Sequence, residues 1–116
     1  MKLFLYQIAQ VRSGDKANDS DVSVFAPNEN IYNFLKESLT PAVVKSALSS
    51  IVDGKVVRFE VPNLLALKFL LTDALGGGAS GSLRSDNLGK SIGGIFSTTE
   101  LELPEALLKA VHIRPA

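Results

Sequence analysis

The chain has 116 residues, enough for one domain and too few for two. It has no cysteine, which excludes disulfides, thiolate metal sites and a cysteine nucleophile, and which fits the cytosol. Twelve Lys and Arg balance twelve Asp and Glu, so no basic excess directs the chain to nucleic acid or an anionic membrane.

In chain order, Leu3 to Val11 mixes β-branched, aromatic and leucine residues and predicts a strand covered on both faces. A leader peptide is the competing reading, but Tyr6, Gln7 and Gln10 interrupt the apolar run. No segment approaches the ~20 apolar residues of a membrane span. Arg12 to Asn18 is polar and predicts a turn. Asp19 to Ala26 then alternates, with Val22, Val24 and Ala26 on one side and Asp21, Ser23 and Phe25 on the other. These segments predict a β-hairpin with an unusually charged connection.

Asn28 is placed to cap a helix whose apolar face is Ile31, Phe34, Leu35 and Leu39. Thr40-Pro41 marks a second start, with Val44, Ala47, Leu48 and Ile51 as its stripe. Asp53-Gly54 signals a turn. Lys55 to Val61 alternates, which predicts a strand with Val57, Phe59 and Val61 inward and Arg58 and Glu60 outward. Asn63 then caps a predicted helix over Leu64 to Leu75, so apolar that it needs cover on more than one side. That requirement is the ground for expecting a homo-oligomer.

Gly76 to Ser82 is a Gly/Ser-rich loop, and Asp86 is placed to cap a last main helix. In that helix Leu88, Ile92, Ile95 and Phe96 lie near one face, with Gly89 and Gly93 one turn apart for close backbone approach. Leu101 to Leu103 predicts a final strand, Pro104 to Val111 a short helix, and His112 to Ala116 a tail. The sum is a single α+β domain: a two-layer sandwich in ferredoxin-like style, with helices on one face of a mainly antiparallel sheet.

Several motifs fail on context. Gly76, Gly78 and Gly81 satisfy a dinucleotide spacing, yet they follow a predicted helix rather than a strand. Gly89-Lys90-Ser91 lacks the first glycine of a phosphate loop, because that position is Arg84. Asp15, Asn18, Asp19 and Asp21 match no calcium-loop spacing, and no metal or other cofactor is assigned. The only histidine, His112, sits near the end and predicts an exposed, inert side chain.

Two polar clusters remain. The first is Arg12, Ser13, Gly14, Asp15, Lys16, Asn18 and Asp19; the second follows the glycine loop and holds Arg84, Asp86 and Lys90, with Gly77 and Gly78 ahead of it. If they meet, they form either a ligand pocket with an Asp/Lys acid–base pair or a salt-bridge network that locks two loops.

The stretches Ser13 to Asp19, Val57 to Phe69 and Leu75 to Lys90 resemble signature segments of the C-terminal domain of acyclic terpene utilisation protein A (AtuA), in order along nearly the whole chain. The resemblance implies a ferredoxin-like fold and a setting in the catabolism of branched acyclic acids as acyl-CoA derivatives. It implies a stand-alone version of a domain that elsewhere follows a larger region, and residues 103–116 lie beyond it as an extra helix and tail. Where the family reads S-G-D-K-G-N-D, this chain has Ala17, so a backbone with positive φ at that position would be strained. The expected function is an accessory or assembly module, homo-oligomeric or paired with a larger AtuA-like chain. The alternative is a small binding protein or enzyme for a carboxylate or acyl-CoA, with Arg12, Lys16 and Arg84 holding the anion and Asp15 or Lys90 moving a proton.

Overall fold

The computed structural model describes residues 1–16, 19–48, 54–72 and 93–115. The first apolar run does not form one strand. It gives β1 (Lys2–Phe4), a turn of 3-10 helix (Leu5–Gln7), and then β2 (Gln10–Lys16). The break follows from the polar residue inside the run. Gln7 is buried, its Oε1 accepts from the Phe4 N–H at 2.8 Å, and its Nε2 donates to the Arg114 carbonyl at 2.8 Å. Those bonds hold the chain in a tight turn where a straight strand was expected.

β2 pairs antiparallel with β3 (Asp19–Phe25) in unbroken register from Gln10↔Phe25 to Lys16↔Asp19. The charged run is therefore mostly strand, and only residues 17 and 18 connect the two. The predicted alternation in β3 holds: Val22 and Val24 are buried, while Asp21, Ser23 and Phe25 are half-exposed.

Asn28 caps α1 (Glu29–Ser38), its Oδ1 accepting the Ile31 N–H at 3.0 Å. Thr40 caps α2 (Pro41–Ala47), its hydroxyl accepting the Val43 N–H at 3.2 Å, with Pro41 in the first turn. Ile31, Leu35, Leu39, Val44 and Leu48 enter the core; Phe34 is only half-buried, Ala47 is exposed, and Ile51 and Asp53 lie outside the described residues. Gly54 does turn the chain: its N–H reaches the Thr72 carbonyl at 3.1 Å, and a β-carbon there would collide with that same oxygen.

The strand β4 (Val56–Val61) is turned over relative to the expectation. Val57 and Phe59 are 39% and 50% exposed, while Val56 and Arg58 face the helices. The physical reason is the end of α1, whose last carbonyls lack intrahelical partners. Arg58 Nη1 donates to the Lys36 carbonyl at 2.6 Å and the Leu39 carbonyl at 3.2 Å, and Nη2 reaches Glu60 at 3.2 Å. A guanidinium at a helix C-terminus also opposes the negative end of the helix dipole. The side chain that alternation assigned to water is instead the seal between helix and sheet.

The helix predicted over Leu64 to Leu75 is not formed by its described part, Leu64 to Thr72; the rest of the span lies outside the described residues. Pro62–Leu64 makes one 3-10 turn, with Asn63 inside it, and Ala66–Leu71 is β5. Leu65 closes the turn in the left-handed region (φ 51°), with its N–H on the Pro62 carbonyl at 3.1 Å. β5 is the interior strand between β3 and β4, in the order β2-β3-β5-β4. It is apolar because one face carries core residues (Leu67, Phe69, Leu71) and the other is partly covered by its neighbours.

Both β3 and β4 run antiparallel to β5 and hence parallel to each other. The α1–α2 connection between them makes a split β-α-β unit, the hallmark of ferredoxin-like sheets. The outer place beside β3 is filled by β2, from earlier in the chain. Residues 93–97 are helical and pack on the same face as α1 and α2, with Phe96 buried against Phe69 at 5.4 Å between ring centroids. Ile95, expected beside Phe96, is exposed; Leu88, Ile92, Gly89 and the Asp86 cap lie outside the described residues. β6 (Glu100–Glu102) pairs with β1 in a second, two-stranded sheet, and Leu3 and Leu101 join the core. The C-terminal helix is shorter than expected, a 3-10 turn at Glu105–Leu107.

Tyr32 of α1 is buried, its ring lies 5.1 Å from the Lys36 ammonium, and its hydroxyl has no hydrogen-bond partner among the described residues. Burial raises its ionisation above the ordinary 10.0, Glu60 adds to the rise, and Arg58 opposes it. A raised phenol contributes stability that is complete below pH 10.0 and is lost as pH climbs through the folded-state value. Tyr32→Phe should leave stability at neutral pH within about 0.5 kcal/mol, because no bond is lost. It should also delay alkaline unfolding, read by circular dichroism across a titration. A neutral-pH loss of about 1 kcal/mol or more would mean that the hydroxyl is hydrogen-bonded.

Candidate functional site

Side chains alternate along β2, so the first polar cluster is divided between two faces of the sheet. Arg12 and Gly14 lie opposite Ser23 and Asp21, on the face away from the helices. Ser13 lies opposite the buried Val22, on the helix face. The bend is also pinned from inside: the buried Ser20 hydroxyl donates to the Gly14 carbonyl at 2.7 Å. Glycine suits position 14 because a β-carbon would stand 3.0 Å from Asp21 Oδ1. Asp15, Lys16 and Asp19 belong to the strands by backbone pairing, Asp15↔Ser20 and Lys16↔Asp19.

Asp21 lies on the open face, and Lys68 of β5 meets it with Nζ 3.5 Å from Oδ2. Both are substantially exposed, so the pair is a weak, solvated one. A helix over this segment hides Lys68 as a partner; the β3–β5 register, with Ser23↔Lys68, places it beside β3. The row Arg12, Ser23, Lys68, Phe59 crosses all four strands, so this face is polar toward β2 and apolar toward β4.

The second cluster, with Gly77, Gly78, Arg84, Asp86 and Lys90, lies outside the described residues, as do Ala17 and Asn18 of the first. The chain that follows it re-enters against β2. A β-carbon on Gly93 would stand 2.6 Å from Ser13 Oγ and 3.2 Å from its Cβ. The glycine there does admit a close neighbour, but that neighbour is a side chain of the first cluster where another backbone was expected. His112 is exposed, as expected, but the tail around it is held: the Arg114 N–H donates to Gln7 at 2.9 Å, and its guanidinium to the Ala9 carbonyl at 2.5 Å. A cleft of about 230 Å³ lies beside that contact, lined by Ile8, Gln10, Phe25, Pro27 and Arg114. Among the described residues no three acidic or histidine side chains gather to hold a metal ion, and no helix is long and apolar enough to cross a membrane.

A split β-α-β sheet with helices on one face defines this as an α+β ferredoxin-like domain. The chain belongs to the AtuA ferredoxin-like domain family, whose model matches residues 3–102. No curated protein and no solved structure matches it significantly.

Proposed function

We propose that the chain is an assembly module of an AtuA-like system, non-catalytic and self-associating or joined to a larger AtuA-like chain. The setting is the one its family implies, catabolism of branched acids as acyl-CoA derivatives, and the lack of cysteine suits the cytosol for it. The homo-oligomer no longer rests on an apolar helix, since that segment is β5. It rests on the outer part of the sheet. Phe59 and Val57 are exposed by 50% and 39% there, while α1, α2 and residues 93–97 all pack on the opposite face. Large apolar side chains gathered on one open face mark a surface that another protein covers. Sedimentation velocity and light scattering should give a mass of at least two chains. A monomer that also fails to retain a larger AtuA-like chain on a column would overturn the reading.

One observation favours a second reading, a small site for a carboxylate or acyl-CoA: Gly93 packs on Ser13, which brings the chain following Lys90 back to the first polar cluster. Arg12, Lys16 and Arg84 would hold the anion there, with Asp15 or Lys90 as the proton-moving group. Melting curves against acyl-CoA thioesters address it, with Lys16→Ala and Arg84→Ala as comparisons. A rise in Tm that both variants abolish supports a site; no rise with any thioester removes it.

A further inference from the structure

β4 has a strand on one side only among the described residues, and its free edge can be read atom by atom. The Thr72 N–H donates to the Lys55 carbonyl at 3.0 Å, and on the far side of β5 the Ala26 N–H donates to the Leu65 carbonyl at 2.9 Å. Carried along the two registers, these bonds fix which residues point which way. The backbone groups of Val57, Phe59 and Val61 turn toward β5. Those of Val56, Arg58 and Glu60 turn outward.

That edge has no proline within it, no bulge in its register and no lysine, the usual devices that keep an edge from pairing. It is also complementary to itself. Around Phe59 the sequence reads Val57-Arg58-Phe59-Glu60-Val61, an arginine and a glutamate symmetric about an aromatic, with a valine at each end.

We infer that β4 pairs antiparallel with β4 of a second copy, Phe59 lying opposite its symmetry mate on a two-fold axis and Arg58 lying opposite Glu60 of the partner subunit. Backbone parity and charge select this register together. Ladder bonds across the edge must join residues 56, 58 and 60, since only those point outward. Among such registers, a slide of two residues opposes Arg58 to Arg58 or Glu60 to Glu60, like charges directly across a ladder. In the chosen register Arg58 and Glu60 exchange four backbone hydrogen bonds between the copies. Pro62, which has no N–H, ends the ladder. The two phenyl rings meet on the open face, flanked by Val57 and Val61 of both chains, and the apolar margin of each sheet becomes the middle of an eight-stranded one. A C2 contact of this kind is closed and stops at two.

The inference rests on the assembly reading and names its surface, so the test must separate the two. The chain lacks cysteine, so Phe59→Cys introduces a single thiol. A non-hydrogen-bonded antiparallel pair sets Cα atoms about 4.5 Å apart, within disulfide range. Oxidised Phe59→Cys should run as a dimer on a non-reducing gel, and Glu105→Cys, on an exposed turn, should not. Glu60→Pro removes an outward N–H without touching the ladder to β5, so it should weaken self-association at least tenfold with an unchanged circular dichroism spectrum. Should Glu60→Pro fail to fold, Glu60→Lys serves instead, setting lysine against Arg58 of the partner subunit with the same expected loss. Self-association that survives these variants, or wild type that associates while Phe59→Cys does not cross-link, overturns the inference and leaves the assembly reading standing. A wild-type monomer overturns the inference, and one that also fails to retain a larger AtuA-like chain overturns the assembly reading with it.

Discussion

Phe69→Ala is expected to lower folding stability by about 3–5 kcal/mol, and Leu70→Ala by less than about 1.5 kcal/mol, in urea unfolding followed by circular dichroism. Phe69 is fully buried and in ring contact with Phe96, so its removal leaves a cavity that the facing sheet and helix cannot both close. Leu70, one residue on, points to the open face opposite Asp21 and Val57 and is only half-buried. The contrast between adjacent residues is the signature of a two-residue period. Were residues 64–75 a helix buried on several sides, Phe69 and Leu70 would both face cover and the two losses would be similar. A typical domain is stable by about 5–15 kcal/mol in total, so the first variant should also melt well below the wild type.

Arg58→Ala is expected to cost about 2–3 kcal/mol, which is large for a residue on an edge strand. Two charge-assisted hydrogen bonds to the Lys36 and Leu39 carbonyls disappear, and those helix-end oxygens remain in a half-buried place without their donor. Arg58→Lys should recover only part of the loss: an ammonium keeps the favourable charge at the helix end but lacks the fork that reaches two carbonyls. If Arg58→Ala unfolds at the same urea concentration as the wild type, the guanidinium is not a seal, and the inversion of β4 needs another cause.

These two residues mark where sequence reasoning stopped. The caps at Asn28 and Thr40, the alternation of β3 and the strand at Leu101 were legible because each is decided locally, by a side chain within three residues or by a clean period of two. The Ala66 to Leu71 segment was not, because Lys68 is its one polar residue and a single interruption does not separate a period of two from one of 3.6. An interior strand and a buried helix then look alike, and only the left-handed turn at Leu65 and two strand neighbours decide between them. Arg58 was misassigned for a different reason. Alternation says which residues share a face but not which face is buried, and here a helix end 19 to 22 residues earlier in the chain, not hydropathy, chose the side. For the site, the sequence locates a polar cluster at Arg12 to Asp19, and its composition alone describes a loop. Strand pairing divides it, with Arg12 and Gly14 on one face and Ser13 on the other.

The two-stranded sheet carries a consequence for how the molecule is made. Lys2 pairs with Glu102, and the Met1 amino group reaches the Leu103 carbonyl at 3.0 Å. The first strand of the domain therefore waits for the last before it has a partner, and closing so long a stretch of chain is slow. During synthesis the nascent polypeptide can complete β2 to β5 while its first residues stay unmatched. Final locking of the core, through Leu3 and Leu101, should come only after β6 has been made.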